Sequence, residues 1–284
     1  MDALVSTEWL AEHVEDDDLV VVDATVDIDP TSGTVVSGRA RWEEGHIPGA
    51  VFADLLSDLS DPDAPTPLMM PSPDRAAGAL GRLGIGDDSR VVVYDARESM
   101  WAARVWWMLQ SLGHPEAALL DGGWTAWEAE GRPISTEMPA PRPATFTPRP
   151  RPGLFAGKED VRNAIDDEQT TIVDALTPKE YRGEVAFYGR PGHLPGAVNV
   201  PARSIVDRDT QRFRPVEELR ELFGPALAAD SVVTYCGGGV AASSDAFALR
   251  LLGHERVAVY DGSMMEWAAD PELPLVTGDA PGAP

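Results

Sequence analysis

The residues best suited to do chemistry are a single cysteine and the glycines that follow it. Cys236 is the only cysteine in the sequence, and three glycines come directly after it. The preceding residues 232–235 are apolar and rich in β-branched side chains, which predicts a buried strand. Residues 240–252 are apolar and alanine-rich, which predicts a helix packed on a sheet. The sequence therefore places Cys236 between the carboxyl end of a strand and the amino end of a helix.

This position favours a reactive sulfur. Glycines lack a Cβ atom, so consecutive backbone N–H groups can surround one point, where the helix amino terminus adds partial positive charge. A cysteine there is expected to be stabilised as the thiolate, which is the nucleophilic form. The alternative is an inert, buried cysteine. Three glycines disfavour that alternative because each weakens the element it occupies.

The same order of landmarks occurs twice along the chain. The first copy has strands at 19–24 and 90–95, a Gly-His-Ile-Pro-Gly turn at 45–49, and Asp-Gly-Gly at 121–123. The second copy has strands at 171–175 and 232–236, a Gly-His-Leu-Pro-Gly turn at 192–196, and Asp-Gly-Ser at 261–263. The offset of about 140 to 150 residues is the size of one ordinary domain.

Strands that alternate with helical segments predict an α/β fold, in which each domain is a mostly parallel sheet with helices on both faces. We predict two tandem domains, residues 1–135 and 153–284. The proline-rich segment 136–152 between them cannot form a helix or a sheet interior and is interpreted as an extended linker. Asp95 stands at the position of Cys236 in the first copy. A carboxylate cannot do thiolate chemistry, so the first domain is expected to be inactive.

Composition narrows the class of protein further. The formal net charge of −24 opposes nucleic acid or an anionic membrane as partners. One cysteine cannot form an internal disulfide, which fits a reducing cytoplasm. No cysteine and histidine set has zinc-ligand spacing, and we expect neither a metal nor a cofactor. No apolar run is long enough to span a membrane, and no signal-peptide core is present; Ser6 is instead predicted to cap a short helix.

In these motifs the sequence resembles the tandem-domain rhodanese family, the thiosulfate and 3-mercaptopyruvate sulfurtransferases, over nearly the entire chain. The resemblance implies a catalytic second domain in which Cys236 takes a sulfur atom from a small anionic donor and becomes a persulfide. The acceptor would be cyanide, a small thiol or a protein thiol such as that of a thioredoxin-like protein. The active-site loop implied to stabilise thiolate and persulfide is Gly237, Gly238, Gly239, Val240 and Ala241.

The resemblance also implies donor-binding residues, namely Arg190, Arg182 and His46. Three features depart from the family: the loop carries no basic residue, Gly238 replaces a serine typical of the mercaptopyruvate type, and Glu180 replaces an arginine of the donor clamp. Arg182 has the alternative of a surface ion pair with a carboxylate such as Glu184. His46 has the alternative of a structural turn, since His193 occupies the same place in the second copy.

Two other functions stay open. A persulfide carrier or sulfur-binding module with little turnover of small donors is favoured by the same three departures. A cysteine phosphatase of the cell-cycle type would need an arginine that clamps phosphate after five intervening residues. The sequence has Ala242 at that spacing, so the phosphatase is the remote alternative.

Overall fold

The computed structural model describes residues 1–29 and 31–282, which group into two units by packing. The first unit contains Met1–Asp63, Met70–Arg151 and Asp207–Phe213. The second contains Ala64–Met69, Pro152–Val206 and the chain from Arg214 onward. Asp207–Phe213 is therefore grouped with the first unit although it lies in the second half of the sequence, and Ala64–Met69 is grouped with the second unit although it lies in the first half. The predicted boundaries at 135 and 153 do not anticipate this grouping.

The first unit is a parallel sheet with helices. Its strands and helices are β1 (Leu4–Val5), α1 (Thr7–His13), β2 (Leu19–Asp23), β3 (Val26–Ile28), β4 (Val35–Ser37), α2 (Arg39–Glu44), β5 (Val51–Phe52), α3 (Pro73–Arg82), β6 (Arg90–Tyr94), α4 (Met100–Ser111), β7 (Ala117–Leu120) and α5 (Gly123–Ala129). Among the described residues, five strands form one sheet in the order β1-β7-β6-β2-β5, all parallel, and β3 pairs antiparallel with β4.

The second unit repeats this arrangement. Its elements are β8 (Phe155–Ala156), α6 (Lys158–Ile165), β9 (Thr170–Asp174), α7 (Pro178–Tyr181), β10 (Val198–Asn199), α8 (Val216–Phe223), β11 (Ser231–Tyr235), α9 (Val240–Leu251), β12 (Val257–Tyr260) and α10 (Ser263–Trp267), with 3-10 turns at Ala202–Ser204 and Gly224–Ala228. Within the described chain, its parallel sheet has the order β8-β12-β11-β9-β10. Each strand matches the corresponding strand of the first sheet, so the two predicted α/β copies are confirmed.

The central strands are buried because their sequences are apolar on both faces. Val91, Val92 and Val93 in β6 are fully buried, as expected for a parallel strand covered by helices on both sides. The helices that follow β6 and β11, α4 and α9, are buried around most of their circumference. Ser6 caps α1 as predicted, since its hydroxyl accepts a hydrogen bond from the Trp9 N–H.

The proline-rich segment 136–152 contains no helix and no strand, and an isolated bridge between Ser135 and His46 directly precedes it. It is not a free connector, because as far as Arg151 it belongs to the first unit. The Ala144 N–H donates to the Gly81 carbonyl at 2.9 Å, and the Arg149 N–H donates to the Leu112 carbonyl at 2.7 Å. Backbone groups that proline keeps out of regular structure are thus satisfied by the ends of α3 and α4.

Candidate active site

Cys236 lies where the sequence predicts, directly after the central strand β11 and before α9. Only 3% of the residue is exposed. Gly239 caps α9 with a left-handed backbone, φ +75°, which glycine adopts without the steric cost that other residues carry. The chain therefore reverses direction immediately after the cysteine and presents the start of α9 to the sulfur.

Backbone N–H groups surround the sulfur. The N–H groups of Gly238, Gly239, Ala241 and Ala242 act to lower the pKa of the Cys236 thiol, but burial acts more strongly and raises it above its usual value. Three of the five predicted loop residues, Gly238, Gly239 and Ala241, contribute N–H groups, and Ala242 contributes one that was not predicted. Gly237 and Val240 are not among the contributing residues. The expected stabilisation of the resting thiolate is not found, because burial raises the pKa of the thiol by more than the N–H groups lower it.

The start of α10 holds this loop in place. The Ser263 hydroxyl accepts hydrogen bonds from the N–H groups of Cys236 and Gly239, both at 3.1 Å, and donates to the Tyr260 carbonyl at 2.7 Å. The next two N–H groups of α10 donate to the carbonyls of Cys236 at 3.0 Å and Gly237 at 2.9 Å. The Cys236 and Gly237 carbonyls are therefore bound to α10 rather than left free to face the sulfur.

Ser263 was not among the residues predicted for the site. It is fully buried and has φ +48°, a left-handed conformation that costs energy in any residue except glycine. The corresponding residue of the first copy is Gly123, at φ +50°. The contrast between Asp-Gly-Gly and Asp-Gly-Ser in the two copies is the sequence signal that could have identified this serine.

Tyr188 is a second residue that was not predicted. Its phenol ring lies against Gly237, so closely that a Cβ atom on Gly237 would lie 2.6 Å from the Tyr188 Cε1 atom and nearer still to the hydroxyl. Glycine is needed at 237 because of this contact, since its φ is not in the left-handed region. Tyr188 comes from a segment, 182–197, that forms neither a helix nor a strand and carries no readable periodicity.

The Gly-His-Leu-Pro-Gly turn supports the strand that carries the cysteine. The Leu194 N–H donates to the Tyr235 hydroxyl at 3.1 Å, and that hydroxyl donates to the Asp174 carboxylate. His193 is fully buried and its Nδ1 contacts the Tyr181 carbonyl at 2.7 Å. The turn thus fixes the last residue of β11, which precedes Cys236. The Asp174 carboxylate accepts hydrogen bonds from Tyr235 and from the Leu176 N–H, so it has a hydrogen-bonding role at the end of β9.

The three residues predicted to bind the donor are engaged elsewhere. Both nitrogens of the His46 ring contact backbone carbonyls in the first unit, Trp42 at 2.7 Å and Glu137 at 3.1 Å. Arg190 donates to the carbonyls of Asp270 and Leu273 at 2.8 and 2.9 Å. These contacts favour structural roles for both residues over contact with a substrate.

Arg182 forms the ion pair that was its alternative. Its Nε donates to a Glu184 carboxylate oxygen at 2.6 Å, and a second nitrogen lies 3.7 Å from Asp279. Glu180 is turned toward the start of α7, where its carboxylate accepts hydrogen bonds from the N–H and the hydroxyl of Thr177. A two-arginine clamp is therefore not assembled in this structure.

The matching loop of the first unit is occupied by its own side chain. The Asp95 carboxylate accepts N–H hydrogen bonds from Ser99 at 3.2 Å and from Trp101 and Ala102 at 2.9 Å. Burial raises the pKa of Asp95 to about 7 despite these bonds. A carboxylate held in this way leaves the loop with neither a nucleophile nor free N–H groups for an anion.

Within residues 1–29 and 31–282, no group of three or more histidine, cysteine or acidic side chains is arranged to bind a metal ion. A search of the same residues also finds no helix with the length and hydropathy needed to cross a bilayer.

Comparison with known proteins decides the family. A model of the rhodanese-like domain matches residues 6–130 and 158–270. The chain belongs to the rhodanese family. Rhodanese relatives include a thiosulfate sulfurtransferase of Mus musculus, 35% identical over 97% of this chain and 96% of its own length. The sulfur carrier protein TtuD of Thermus thermophilus is 34% identical over 98% of both chains.

A solved rhodanese structure confirms the fold. SseA from Escherichia coli, described as a 3-mercaptopyruvate sulfotransferase, superposes with a TM-score of 0.83 at 30% identity. The match covers 93% of this chain and 99% of SseA. The two rhodanese domains and the sulfurtransferase class predicted from the sequence are therefore confirmed.

Proposed function

We propose that the chain transfers sulfane sulfur from a small anionic donor, thiosulfate or 3-mercaptopyruvate, through a persulfide on Cys236 to cyanide or a thiol. The single observation that carries this proposal is the N–H cradle of Gly238, Gly239, Ala241 and Ala242 around the only cysteine of the chain. A set of convergent N–H groups stabilises negative charge on sulfur, which both the attacking thiolate and the persulfide carry.

In the first step, the Sγ atom of the Cys236 thiolate attacks the outer sulfur of the donor. The bond from that sulfur to the rest of the donor breaks, and its electron pair leaves with the donor remnant. Thiosulfate releases sulfite; 3-mercaptopyruvate releases the enolate of pyruvate, which takes up the proton that the donor thiol brought. In the second step, the acceptor attacks the outer sulfur and the Cys236 thiolate is released.

Burial of the sulfur supports a role for the donor in activation. Because burial raises the pKa of the Cys236 thiol, its proton has to leave as the donor arrives or before. The N–H groups reduce the cost of this ionisation without any metal ion. Attack is therefore expected to be faster as pH rises toward the pKa of Cys236.

The test is thiocyanate formation from cyanide, measured in parallel with thiosulfate and 3-mercaptopyruvate, for the wild type and for Cys236→Ser. The serine variant should fold normally and lose transfer by several orders of magnitude, since a hydroxyl is a poor nucleophile for sulfur. Ser244→Ala, which removes a hydroxyl that donates to the Ala241 carbonyl within α9, serves as a control for a mild change near the same loop. Transfer by Cys236→Ser near the wild-type rate would refute the proposal.

A persulfide carrier is the second candidate, and the engagement of Arg182 and Arg190 in other contacts favours it. A carrier would show no thiocyanate from either small donor. Its Cys236 would still gain one sulfur atom, seen by intact mass, after incubation with a persulfide-loaded protein. Turnover of either small donor at a rate above Cys236→Ser identifies the enzyme instead.

A further inference from the structure

The hydroxyl of Tyr188 is a hydrogen-bond donor beside the cysteine loop that the transfer mechanism above does not use. The phenol lies on the Cα atom of Gly237, the residue after the nucleophile. Among the described residues, its hydroxyl has no hydrogen-bond partner. The side chain is half-buried, and its neighbour Phe187 is 76% exposed. This donor therefore stands at the solvent-facing edge of the site.

Other donors near the loop are already in use. The Ser263 hydroxyl already donates its hydrogen bond to the Tyr260 carbonyl. The guanidinium groups of Arg182 and Arg190 contact Glu184 and two backbone carbonyls. Gly238 has no side chain and so offers no side-chain donor. The space there would admit one, because a Cβ atom would lie at an ordinary contact distance of 3.5 Å from Met265 Sδ. Of these side-chain donors in the described chain, the Tyr188 hydroxyl is the one without a partner, so it can add to the N–H groups in binding a group attached to the cysteine.

The Tyr188 hydroxyl lies beside the cysteine loop without bonding the sulfur of Cys236. No hydrogen bond forms between the Tyr188 hydroxyl and the Cys236 Sγ atom in the described structure. The two groups are nevertheless close enough for the thiolate charge to contribute, after burial, to raising the pKa of Tyr188, as Glu180 and Asp174 also do. A phenol with a raised pKa stays protonated and remains a donor at neutral pH.

We propose that the Tyr188 hydroxyl donates a hydrogen bond to the outer sulfur of the Cys236 persulfide. A second sulfur lies about 2 Å beyond Sγ, so the loaded cysteine reaches further from its backbone than Sγ does. In the proposed arrangement the hydroxyl contacts the atom that is transferred, which makes Tyr188 a catalytic residue. It stabilises the anionic persulfide and forms no hydrogen bond to the resting thiolate. This inference rests on the proposed persulfide chemistry, to which it adds a residue that binds the persulfide and not the free thiolate.

The test separates the two sulfurs. The protein is loaded with inorganic hydropolysulfide, so that neither small donor is needed. The Cys236 thiolate attacks the terminal sulfur, the S–S bond to that sulfur breaks, and the polysulfide that is one sulfur shorter leaves with the electron pair. Rates of alkylation by iodoacetamide are measured against pH, by intact mass, for the unloaded thiol and the loaded persulfide. Wild type, Tyr188→Phe and Tyr181→Phe are compared. Tyr181 is the matched control because its hydroxyl donates to the Ala197 carbonyl at 2.7 Å, inside the unit.

Tyr188→Phe should keep the melting temperature of the wild type, because the ring stays and the hydroxyl has no partner among the described residues. The midpoint of persulfide alkylation should move up by about one pH unit, a tenfold change in the ionisation constant, typical of one lost hydrogen bond to a charged group. The midpoint of the unloaded thiol should not move. In Tyr181→Phe neither midpoint should move, although its melting temperature should fall.

Two results would overturn the inference. One is a persulfide midpoint in Tyr188→Phe equal to that of the wild type. The other is an equal shift of both midpoints, which would assign the hydroxyl to Sγ rather than to the outer sulfur. Loss of thiocyanate formation with both small donors would count against the proposed enzyme. It would leave this comparison intact, because polysulfide loads the cysteine independently.

Discussion

Removal of the Ser263 hydroxyl tests how the cysteine loop is held. Ser263→Ala keeps the Cβ atom and deletes only the oxygen that bonds the N–H groups of Cys236 and Gly239 and the carbonyl of Tyr260. All three partners are buried with it, and a water molecule could replace the hydroxyl only by opening the loop. The substitution therefore leaves two N–H donors without an acceptor directly behind the nucleophile.

The size of the effect follows from these three bonds. Each buried group left unsatisfied costs about 1–3 kcal/mol, and partial relaxation reduces the sum, so we expect a loss of about 2–4 kcal/mol. Ser263→Gly loses the same bonds but removes the strain of a non-glycine residue at φ +48°, worth about 1 kcal/mol. The alanine variant should therefore be the less stable of the two.

The assay combines urea unfolding with kcat/KM for sulfur transfer. Both variants should lose activity on the order of 10²-fold, because a small displacement of the reacting group is enough for that. Ser244→Ala is the matched control, since the Ser244 hydroxyl donates only to the Ala241 carbonyl within α9. If Ser263→Ala unfolds and turns over as Ser244→Ala does, Ser263 does not hold the loop and the reasoning is wrong.

Two other perturbations act on the same unit. Gly238→Ser should fold like the wild type, because its Cβ atom would lie at an ordinary contact distance of 3.5 Å from Met265 Sδ. It should raise kcat with 3-mercaptopyruvate more than with thiosulfate. Equal or lower rates with both donors would show that the missing serine does not limit turnover. Burial raises the pKa of Asp174 to about 7, against about 4 in the unfolded chain, so its contribution to stability is complete below pH 4 and is lost as pH rises through 7. Melting temperatures of the wild type should fall across that window relative to Asp174→Asn, and parallel curves would contradict the shifted pKa.

The fold and the nucleophile could be predicted because both leave local patterns. Valine-rich runs mark the buried strands at 90–94 and 231–235, and the glycines after Cys236 mark the reversal into α9. Repetition of the pattern gives the number of domains. The grouping of Ala64–Met69 with the second unit and of Asp207–Phe213 with the first could not be predicted. No local feature of either segment specifies the unit in which it packs.

The donor-binding residues show the limit more clearly. The family resemblance identified Arg190 as a candidate for binding an anion, yet its guanidinium bonds carbonyls 80 and 83 residues further along the chain. An arginine binds whichever acceptor the fold brings to it, and a backbone carbonyl has no sequence signature. Tyr188 could not be predicted as a site residue, because only the fold brings its phenol against Gly237, and nothing in the sequence around Tyr188 indicates this contact.

Two positions change together between the copies, and they explain how one scaffold gives an inactive and an active loop. In the first copy Asp95 fills its own loop, and Gly123 packs so close to the Asp95 carbonyl that a Cβ there would lie 2.5 Å away. In the second copy Cys236 reaches less far, its loop N–H groups are left for the sulfur, and the Ser263 hydroxyl takes over the support from outside. A carboxylate organises the loop from within, whereas a nucleophile has to be left free. The loop can therefore become reactive only when a second residue bears the structural role that the carboxylate gave up, and Asp95→Cys alone should not create a second sulfur-transfer site.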